Sequence, residues 1–400
     1  MTIDVRKYSA FLEQIACEID IPPSKYQDAV DRYQAVGRWL EDGEYPDCHG
    51  EPSICVQGSF RLGTVTRPIR DGIEASYDID LVCELATQKD RTTPRAVKAM
   101  VGDRLREHGT YRKLLDFEGR RCWTLEYAEQ GGVGFHLDVL PAVPDARGLL
   151  DTAIAITDKT DNTYTWSASN PRGYGDWFDR KNAIAFQRVA FEQKQNIQRR
   201  ESLVYASIDE VPDQLVRTPL QRSIQLMKRH RDLRFNHHDR IDYAPISIIV
   251  TTLAAHLYGS EPDVYSALSG IVGKLHAHAA LVEGRAIEPA VAAMGLVQRR
   301  ADGTWYIGNP VKPDENFADR WHEDNHARAR AFFAWVDALH KDLLNILGET
   351  NPRLLKERLG RALGAAAVAK HFDMLVPPEP VLDTPPRIHI TRPAKPWRED

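Results

Sequence analysis

The chain has 400 residues, of which 42% are hydrophobic and 27% are charged, a composition typical of a folded globular protein. This length allows a large core and predicts two lobes or domains. The formal net charge of −5 argues against a nucleic-acid-binding protein that is basic over its whole surface, although a local basic groove is compatible with it.

The cysteines and the apolar runs indicate the compartment. The five cysteines are odd in number and scattered, which favours reduced thiols over a disulfide framework. No grouping of cysteines and histidines has the spacing of a zinc site. The N-terminus lacks an apolar stretch of signal-peptide length, and no apolar run approaches the span of a bilayer. We therefore expect a cytoplasmic protein without a membrane partner.

The first half of the chain predicts two helices followed by a mixed sheet with helices packed on it. Pro23-Ser24 gives a helix start signal. Short runs with alternating apolar residues predict strands, and Gln130-Gly131-Gly132 is typical of a hairpin turn. The expected elements, in chain order, are helices over 4–20 and 24–42, a strand before Gly58, a strand through Asp78 and Asp80, a helix over 94–108, and strands around 122–128 and 135–143.

From about residue 176 the chain predicts helix after helix, because apolar residues recur near the helical period. A short aromatic run at 304–308 interrupts the helices, and Asn309-Pro310 ends it with a turn signal. We divide the chain into a core lobe with N-terminal helices (1–175), a helical lobe (176–376) and a proline-rich tail (377–400). The expected helices of the second lobe are 179–201, 217–235, 244–258, 263–282 and 318–347.

A glycine-serine turn and a pair of aspartates form the first candidate site. Gly58-Ser59 follows a short apolar run, so the chain can turn tightly and offer backbone N–H groups and a hydroxyl to a triphosphate. Asp78 and Asp80 lie two apart in a strand-like run, so both carboxylates leave the same face of the sheet. Such a pair alone is more often a solvated strand face. Together with the turn before it, the pair indicates a site for Mg²⁺, which takes oxygen ligands and shares them with substrate phosphates.

A third aspartate strengthens this interpretation. Segment 136–141 is another alternating strand, with Leu137 and Val139 on one face and Asp138 on the other. A metal cluster assembled from two adjacent strands needs a charged residue of this kind in the second strand. Such a cluster is expected to hold two ions roughly 3.5–4 Å apart, one activating the attacking hydroxyl and the other holding the triphosphate.

In combination, Gly58-Ser59, Asp78-x-Asp80 and Asp138 resemble the signature of the polymerase-beta-type nucleotidyltransferase superfamily. Other segments narrow the resemblance to bacterial relatives of cyclic GMP-AMP synthase, the cGAS/DncV-like nucleotidyltransferases (CD-NTases) of anti-phage signalling. The likeness covers most of residues 30–345. It implies an α+β fold, with a polymerase-beta-like mixed sheet and helices followed by a helical C-terminal lobe. The segments that carry the narrower resemblance are the long link from Arg67-Pro68-Ile69 to Asp78, 137–141, 169–174, Asn309-Pro310 and Glu315-Asn316-Phe317.

The resemblance implies an enzyme that joins nucleoside triphosphates, ATP and also GTP or UTP, into a cyclic di- or trinucleotide with release of pyrophosphate. It implies that Asp78, Asp80 and Asp138 are catalytic and bind two Mg²⁺ or Mn²⁺ ions, while Gly58 and Ser59 hold the donor triphosphate. It also implies a downstream effector protein that binds the product, in CBASS-type anti-phage signalling, and an activating protein or nucleic acid.

The superfamily also uses a lysine and a serine of the helical lobe on the phosphates. The resemblance assigns these nucleotide-binding roles to Lys228 and Ser247, with Arg229 or Arg222 as alternatives. The basic stretch 228–231 is interpreted either as the lining of a phosphate pocket or activating nucleic-acid groove, or as a solvated helix face. Four aromatic residues are candidates for stacking on a base or for packing at a lobe junction, namely Tyr77, Tyr164, Trp166 and Tyr174.

Two alternative functions remain open from the sequence. One is a transferase on the same core that adds nucleotides to an RNA end or to a protein. The other is a catalytically silent nucleotide- or RNA-binding module. The intact set of Gly58, Ser59, Asp78, Asp80 and Asp138 argues against the silent module, because a degenerate copy has no reason to keep all five.

Overall fold

The computed structural model describes residues 3–67, 69–70, 73–74, 76–127, 134–145, 152–236 and 240–377. The expected turn at Gln130-Gly131-Gly132 and nearly all of the expected tail lie outside the described residues. The strands are β1 (Ser53–Gln57), β2 (Ile69–Arg70), β3 (Ile73–Glu74), β4 (Tyr77–Glu84), β5 (Trp123–Tyr127), β6 (Phe135–Pro144), β7 (Ile154–Thr160), β8 (Thr163–Ser169), β9 (Gln298–Arg299), β10 (Trp305–Tyr306), β11 (Gly308–Asn309) and β12 (Lys312–Asn316).

The helices account for most of the second half of the chain. They are α1 (Val5–Ile19), α2 (Pro23–Glu41), α3 (Gly58–Arg61), α4 (Pro94–Glu107), α5 (Tyr111–Leu114), α6 (Pro171–Arg200), α7 (Pro219–Arg234), α8 (Ser247–Leu257), α9 (Val264–His276), α10 (Pro289–Ala293), α11 (Ala327–Leu339), α12 (Pro352–Leu363) and α13 (Ala365–His371). A π-helical turn, His340–Leu344, extends α11, and short 3₁₀ turns occur at Asp213–Leu215, Ile241–Tyr243, Ala279–Glu283, Asn345–Gly348 and Phe372–Met374.

Within the described residues, six strands form the main sheet in the order β1-β4-β6-β7-β8, and β5 also pairs with β6. β4 and β6 are parallel neighbours, and the other pairs of this sheet are antiparallel. Leu81 and Val139 are register partners in β4 and β6, and both are fully buried. The inward residues of these two strands thus form the core, as the alternation predicts.

Helices α2 and α4 pack on this sheet. Val97, Val101 and Leu105 of α4 are fully buried in the same core as the sheet residues. Gly102 faces the indole of Trp123, and a Cβ at this position would overlap that ring. The absence of a side chain therefore lets α4 approach the sheet closely.

The second core is helical and includes the first helix of the chain. α1 packs against α7 and α9. Phe11 and Ile15 of α1 are fully buried in this helical core, and Tyr8 Oη donates to the carbonyl of Leu343 at 2.9 Å. The N-terminal helix therefore contributes to the core of the helical half, although it precedes the sheet in sequence. The division at residues 175 and 376 stays a prediction.

A largely buried cluster of charges joins α1 to α7. The Asp20 carboxylate, at the end of α1, accepts from Arg217 Nε and from Arg222 Nη1, each at 2.9 Å. Arg222 Nε also donates to Glu13 at 2.9 Å. Burial opposes the ionisation of Asp20, but the two guanidinium groups lower its pKa below the usual value.

The expected helices over 4–20, 24–42 and 94–108 and the strands over 122–128 and 135–143 are confirmed. The expectation of one helix over 318–347 is wrong, because 318–326 form turns before α11 begins. The helix expected over 263–282 ends at His276.

Among the described residues, no helix is both long and apolar enough to cross a membrane. Elements that the sequence analysis missed are β7, β8, α12 and α13.

We predict that Asp20→Asn destabilises the protein by about 3–5 kcal/mol at pH 7, because buried Arg217 loses its carboxylate partner and Arg222 keeps only that of Glu13. The free energy of unfolding can be measured by urea denaturation followed by circular dichroism. Since the pKa of Asp20 is lowered on folding, its contribution is present above its ordinary pKa and is lost as the pH falls through the folded value. The difference from wild type is therefore expected to shrink in acid.

Asp28→Asn is the matched control, because Asp28 is exposed on α2. It is expected to change the free energy of unfolding by less than about 0.5 kcal/mol. Equal stabilities of the Asp20 and Asp28 variants at pH 7 would contradict the role given to the buried charge cluster.

Candidate active site

The three predicted aspartates lie on two adjacent parallel strands. Asp80 of β4 is the direct register partner of Asp138 of β6, and Asp78 is the partner of His136. Register partners on neighbouring strands point to the same face, so the three carboxylates share one face of the sheet. The structure therefore brings together the residues that the sequence singled out.

Each of these aspartates has a different environment. Thr124 Oγ1, from β5, donates to Asp138 Oδ1 at 2.6 Å. The Asp78 side chain is 55% exposed, and its Oδ1 lies 3.7 Å from His136 Nδ1. Burial, and after it the carboxylates of Asp138 and Asp78, raise the pKa of Asp80 to about 7 against the opposing charge of Lys228. The negative charge of Asp80 is thus opposed by burial and by its two acidic neighbours.

This set of oxygen donors suits a hard divalent cation. Within the described residues, no three His, Cys, Asp or Glu side chains form a ready-made ion site. The mutual repulsion around Asp80 is nevertheless of the kind that Mg²⁺ or Mn²⁺ relieves, since both ions prefer carboxylate oxygens. The two-ion arrangement stays a prediction.

Gly58 brings backbone directly against Asp80. Gln57, which precedes Gly58 and is the last residue of β1, is the register partner of Asp80. Gly58 has φ of +67°, and a Cβ built on it would overlap Asp80 Oδ2. Both observations favour glycine, because other residues rarely adopt this φ and a Cβ here would force the Asp80 carboxylate to shift. Ser59 follows in the first turn of α3, and its carbonyl accepts from Thr64 N at 2.9 Å.

One face of α7 holds the loop that follows α3. Four side chains of this helix donate to main-chain carbonyls of residues 62–67. Their spacing of four, three and one places them on one helical stripe. The bonds are Gln221 to Leu62 at 2.9 Å, Gln225 to Val65 at 2.9 Å, Lys228 to Thr64 at 3.0 Å and Arg229 to Arg67 at 3.1 Å.

Lys228 therefore lies against the loop that follows the Gly58-Ser59 turn. It is only 3% exposed, and burial, together with the nearby Arg231, lowers its pKa to about 7. Ser247 lies in the first turn of α8, where its hydroxyl accepts from Arg231 Nη1 at 3.0 Å. The nucleotide-binding roles of Lys228 and Ser247 stay predictions. The alternative residue Arg222 is already paired with Glu13 and Asp20.

The interpretation of 228–231 as a solvated helix face is wrong. Lys228, Arg229 and His230 are each 3% exposed. His230 Nε2 lies 3.2 Å from a carboxylate oxygen of Asp342. This side of α7 packs against the rest of the protein. Its polar groups can be buried because they bind loop carbonyls and the Asp342 carboxylate instead of water.

A cavity of about 500 Å³ opens beside Asp80 and Gly58. This volume lies within the usual range for small-molecule sites. The segments 169–174 and 315–317, which carried the narrower resemblance, both contribute to its wall. Its other lining residues include Gln57, Arg61, Arg121, Ser167, Ile246, Ile248, Asn309, Asp314 and Asp319.

Arg121 is a cavity residue that the sequence analysis missed. Its Nε donates to Asp158 Oδ2 at 2.9 Å, while Arg120 donates to the other oxygen of the same carboxylate at 2.8 Å. Asp158 is 4% exposed and lies on β7. The sequence analysis did not predict β7, which carries Asp158. It therefore could not place Arg121 at the cavity wall.

The four candidate aromatics have different environments. Tyr77 is buried and stacks on Phe135 with ring centroids 5.7 Å apart, so it packs in the core. Tyr164 Oη donates to Glu118 at 2.8 Å. Trp166 packs partly buried against the sheet core. Tyr174 alone of these four lines the cavity, and its hydroxyl lies 2.8 Å from Thr252 Oγ1.

Comparisons with known proteins agree with this site. Residues 6–182 match the family described as Second Messenger Oligonucleotide or Dinucleotide Synthetase domain. A c-di-GMP synthase of Roseivirga ehrenbergii is 30% identical over 338 residues, which cover 83% of this chain and 77% of that protein. The cyclic dinucleotide synthase CdnG of Bradyrhizobium diazoefficiens is 26% identical over 328 residues, covering 78% and 70%.

Two solved structures share the fold. The CD-NTase CdnG of Bradyrhizobium diazoefficiens in complex with GTP superposes with a TM-score of 0.67 and 22% identity, covering 92% of this chain and 98% of that one. The dinucleotide cyclase DncV of Vibrio cholerae superposes with a TM-score of 0.58 and 12% identity, covering 91% and 97%.

A glycine turn against a pair of strand aspartates, with a third aspartate on the adjacent strand and a helical lobe behind, defines a nucleotidyltransferase of the polymerase-beta type. Within that class, the chain belongs to the bacterial cGAS/DncV-like nucleotidyltransferases, the CD-NTases. The expected α+β fold class and the expected family are both confirmed.

We predict that Gly58→Ala lowers the free energy of unfolding by about 1–3 kcal/mol, because the new methyl group meets the Asp80 carboxylate and the residue must keep a positive φ. Urea denaturation measures this loss. Gly109→Ala is the control, since nothing lies within 4 Å of a Cβ at that position. Similar stabilities of the two variants would show that Gly58 does not hold the strained contact described above.

Proposed function

We propose that this protein is a divalent-cation-dependent synthase that joins nucleoside triphosphates, GTP among them, into a cyclic dinucleotide with release of pyrophosphate. The observation that carries this proposal is the face shared by Asp78, Asp80 and Asp138 at the edge of a cavity that also contains Gly58. The relatives named as c-di-GMP synthase and CdnG support a cyclic dinucleotide as the product.

In this proposal the chain works mainly by positioning and by charge neutralisation, which are the main requirements of nucleotidyl transfer. Asp78, Asp80 and Asp138 would hold Mg²⁺ or Mn²⁺, which when bound lowers the pKa of an acceptor hydroxyl and neutralises a pyrophosphate leaving group. The backbone at Gly58 and the Ser59 hydroxyl would bind the donor triphosphate.

The helical lobe would complete the phosphate site. Lys228 lies close enough to influence the pKa of Asp80, and it holds the carbonyl of Thr64 in the loop after α3. In this proposal it contributes positive charge to the triphosphate, and Ser247 contributes a hydroxyl from the first turn of α8. Arg121, anchored by Asp158, offers a second cation at the cavity wall.

We further propose the cellular role that the family membership supports. The product would act in anti-phage signalling in the cytoplasm and bind a downstream effector protein. An activating protein or nucleic acid would control the synthase. ATP or UTP would be further substrates. The two lobes and the tail of the chain would divide at residues 175 and 376.

The test is to incubate the purified full chain with the four labelled triphosphates and Mg²⁺ or Mn²⁺, and to identify phosphatase-resistant products by mass spectrometry. We expect a cyclic dinucleotide from the wild type. Asp80→Asn and Asp138→Asn are expected to lower its rate of formation by at least about a thousandfold, because each removes a cation ligand. Chelation of the divalent cation is expected to have the same effect.

Asp116→Asn is the control, because Asp116 is an exposed carboxylate in the turn before β5 and lies outside the cavity lining. It is expected to keep the wild-type rate. Label transferred to an RNA or a protein, with no small phosphatase-resistant product, would favour the alternative transferase. Wild-type rates in the folded Asp80→Asn and Asp138→Asn variants would overturn the site assignment.

A further inference from the structure

The wall of the catalytic cavity contains a carboxylate that the proposed chemistry does not use. Glu315 lies on β12, in the short hairpin formed with β11, and lines the same cavity as Asp80 and Gly58. It comes from the helical half of the chain, whereas the cation-binding face comes from the sheet. A group in this position is placed to contact a part of the nucleotide other than its phosphates.

The orientation of this carboxylate is fixed by Asn309. Asn309 Nδ2 donates to Glu315 Oε2 at 2.8 Å, and Asn309 Oδ1 accepts from the main-chain N–H of Val311 at 3.0 Å. Asn309 is 4% exposed. Because its oxygen is already committed to an N–H, the amide nitrogen must face Glu315, and the carboxylate is held in one place.

The hairpin that carries Glu315 is itself braced. Asn316 Oδ1 accepts from Ile307 N at 2.9 Å and from Ala318 N at 3.0 Å, and Asn316 Nδ2 donates to Trp305 O at 2.8 Å. A side chain on a hairpin fixed at both ends loses little freedom when a ligand binds, which favours selective recognition.

Glu315 also has unused hydrogen-bonding capacity. Among the described residues, Asn309 supplies the one side-chain hydrogen bond to its carboxylate, and that bond is on Oε2. Burial raises the pKa of Glu315, with Asn309 and the more distant charge of Arg121 acting against it. A partly desolvated carboxylate gains most from a ligand that brings N–H donors.

The nucleobases differ in what they offer to such a group. Guanine presents two adjacent donors on its Watson–Crick edge, N1–H and the N2 amino group, which match the two oxygens of a carboxylate. Adenine places an acceptor at N1 beside its amino group, and cytosine places one at N3. Uracil offers a single N–H between two carbonyl oxygens. An acceptor opposite a carboxylate leaves both groups unsatisfied.

We propose that Glu315, held by Asn309, is a specificity-determining residue that selects guanine in the catalytic cavity by accepting from its Watson–Crick edge. Phe317, two residues further along, lines the same cavity and offers an aromatic face to the base. Asn309 is a positioning residue in this arrangement. The inference rests on the proposed function and names the base that one of its nucleotide sites prefers.

The test compares Glu315→Gln with Asp314→Asn in the full chain. Asp314 is the neighbouring exposed carboxylate of β12 and also lines the cavity, so the two variants remove the same charge from the same hairpin. Each is given equimolar GTP and ATP with Mg²⁺, and the ratio of guanine to adenine in the product is measured by mass spectrometry. Glu315→Gln is expected to lower this ratio roughly ten- to a hundredfold, the discrimination that a bidentate base contact supplies, and Asp314→Asn to leave it within about twofold of wild type.

A binding measurement keeps the inference testable without turnover. The thermal shift produced by a non-hydrolysable GTP analogue is compared with that of the ATP analogue, with Mg²⁺ present. The GTP analogue is expected to stabilise the wild type and Asp314→Asn more than the ATP analogue does, and this preference is expected to be lost in Glu315→Gln. Asn309→Ala, which keeps the carboxylate and removes its positioning donor, is expected to reduce the preference partially.

An unchanged guanine preference in folded Glu315→Gln would overturn the inference. Equal loss of preference in Asp314→Asn would also overturn it, since the effect would then follow cavity charge rather than base contact. If the wild type makes no cyclic product yet binds the GTP analogue through Glu315, the proposed function fails and the base selection stands. If it makes a cyclic product whose composition ignores Glu315, the base selection alone fails.

Discussion

The parallel pairing of β4 with β6 is the constraint on which the site depends. In this pairing Asp80 lies opposite Asp138, so the two carboxylates stand side by side on one face. The hydrogen-bonded strands fix the distance between the two backbones, whatever the side chains do. The sheet accepts this repulsion because the opposite face of the same strands is fully buried, as at Leu81 and Val139. Slipping either strand by one residue would turn these apolar side chains to the wrong face. The same hydrophobic alternation that stabilises the sheet therefore fixes its acidic face.

Helix α7 connects this face to the second half of the molecule. Its side chains bind the carbonyls of residues 62–67, so the loop after Gly58-Ser59 takes its shape from a helix more than 150 residues later in the chain. The same helix begins next to the cluster in which Asp20 pairs with Arg217 and Arg222. A displacement of the helical lobe would thus reach the Gly58-Ser59 turn through hydrogen bonds to the main chain. This is a rigid connection, because carbonyl positions move only with the backbone.

The sequence could predict the face of the sheet but only part of the cavity. Asp78, Asp80 and Asp138 can be predicted because strand alternation is local, and the tight turn at Gly58 has a local signal as well. The contacts of Arg121 and Glu315 depend on β7 and on the β11–β12 hairpin, whose places are decided by packing between distant segments.

Two differences between the expected and the observed elements occur where the sequence does contain a local signal, namely the start of α6 and the turn between β7 and β8. Asn170 caps α6 by accepting from Gly173 N, with Pro171 at the first helical position, so the helix begins eight residues before the predicted start. Asp161, with φ of +54°, lies in the tight turn between β7 and β8. A turn of this kind next to alternating residues indicates a hairpin. By contrast, no local pattern indicates that α1 packs with the helical core, because that contact is made only with residues far along the chain.

In the proposed function, the two walls of the cavity would bind different parts of a nucleotide, because their carboxylates have different surroundings. The sheet wall carries Asp80 among other carboxylates, so it can accept a triphosphate only together with cations. The helical wall carries Glu315, which has no cation at hydrogen-bonding distance among the described residues and is fixed by an amide. A carboxylate without a cation repels phosphate and attracts N–H groups, so in the proposed arrangement a nucleotide would bind with its phosphates at the sheet and its base at the hairpin. The orientation of the substrate would thus follow from the arrangement of negative charge, without any contact to the sugar.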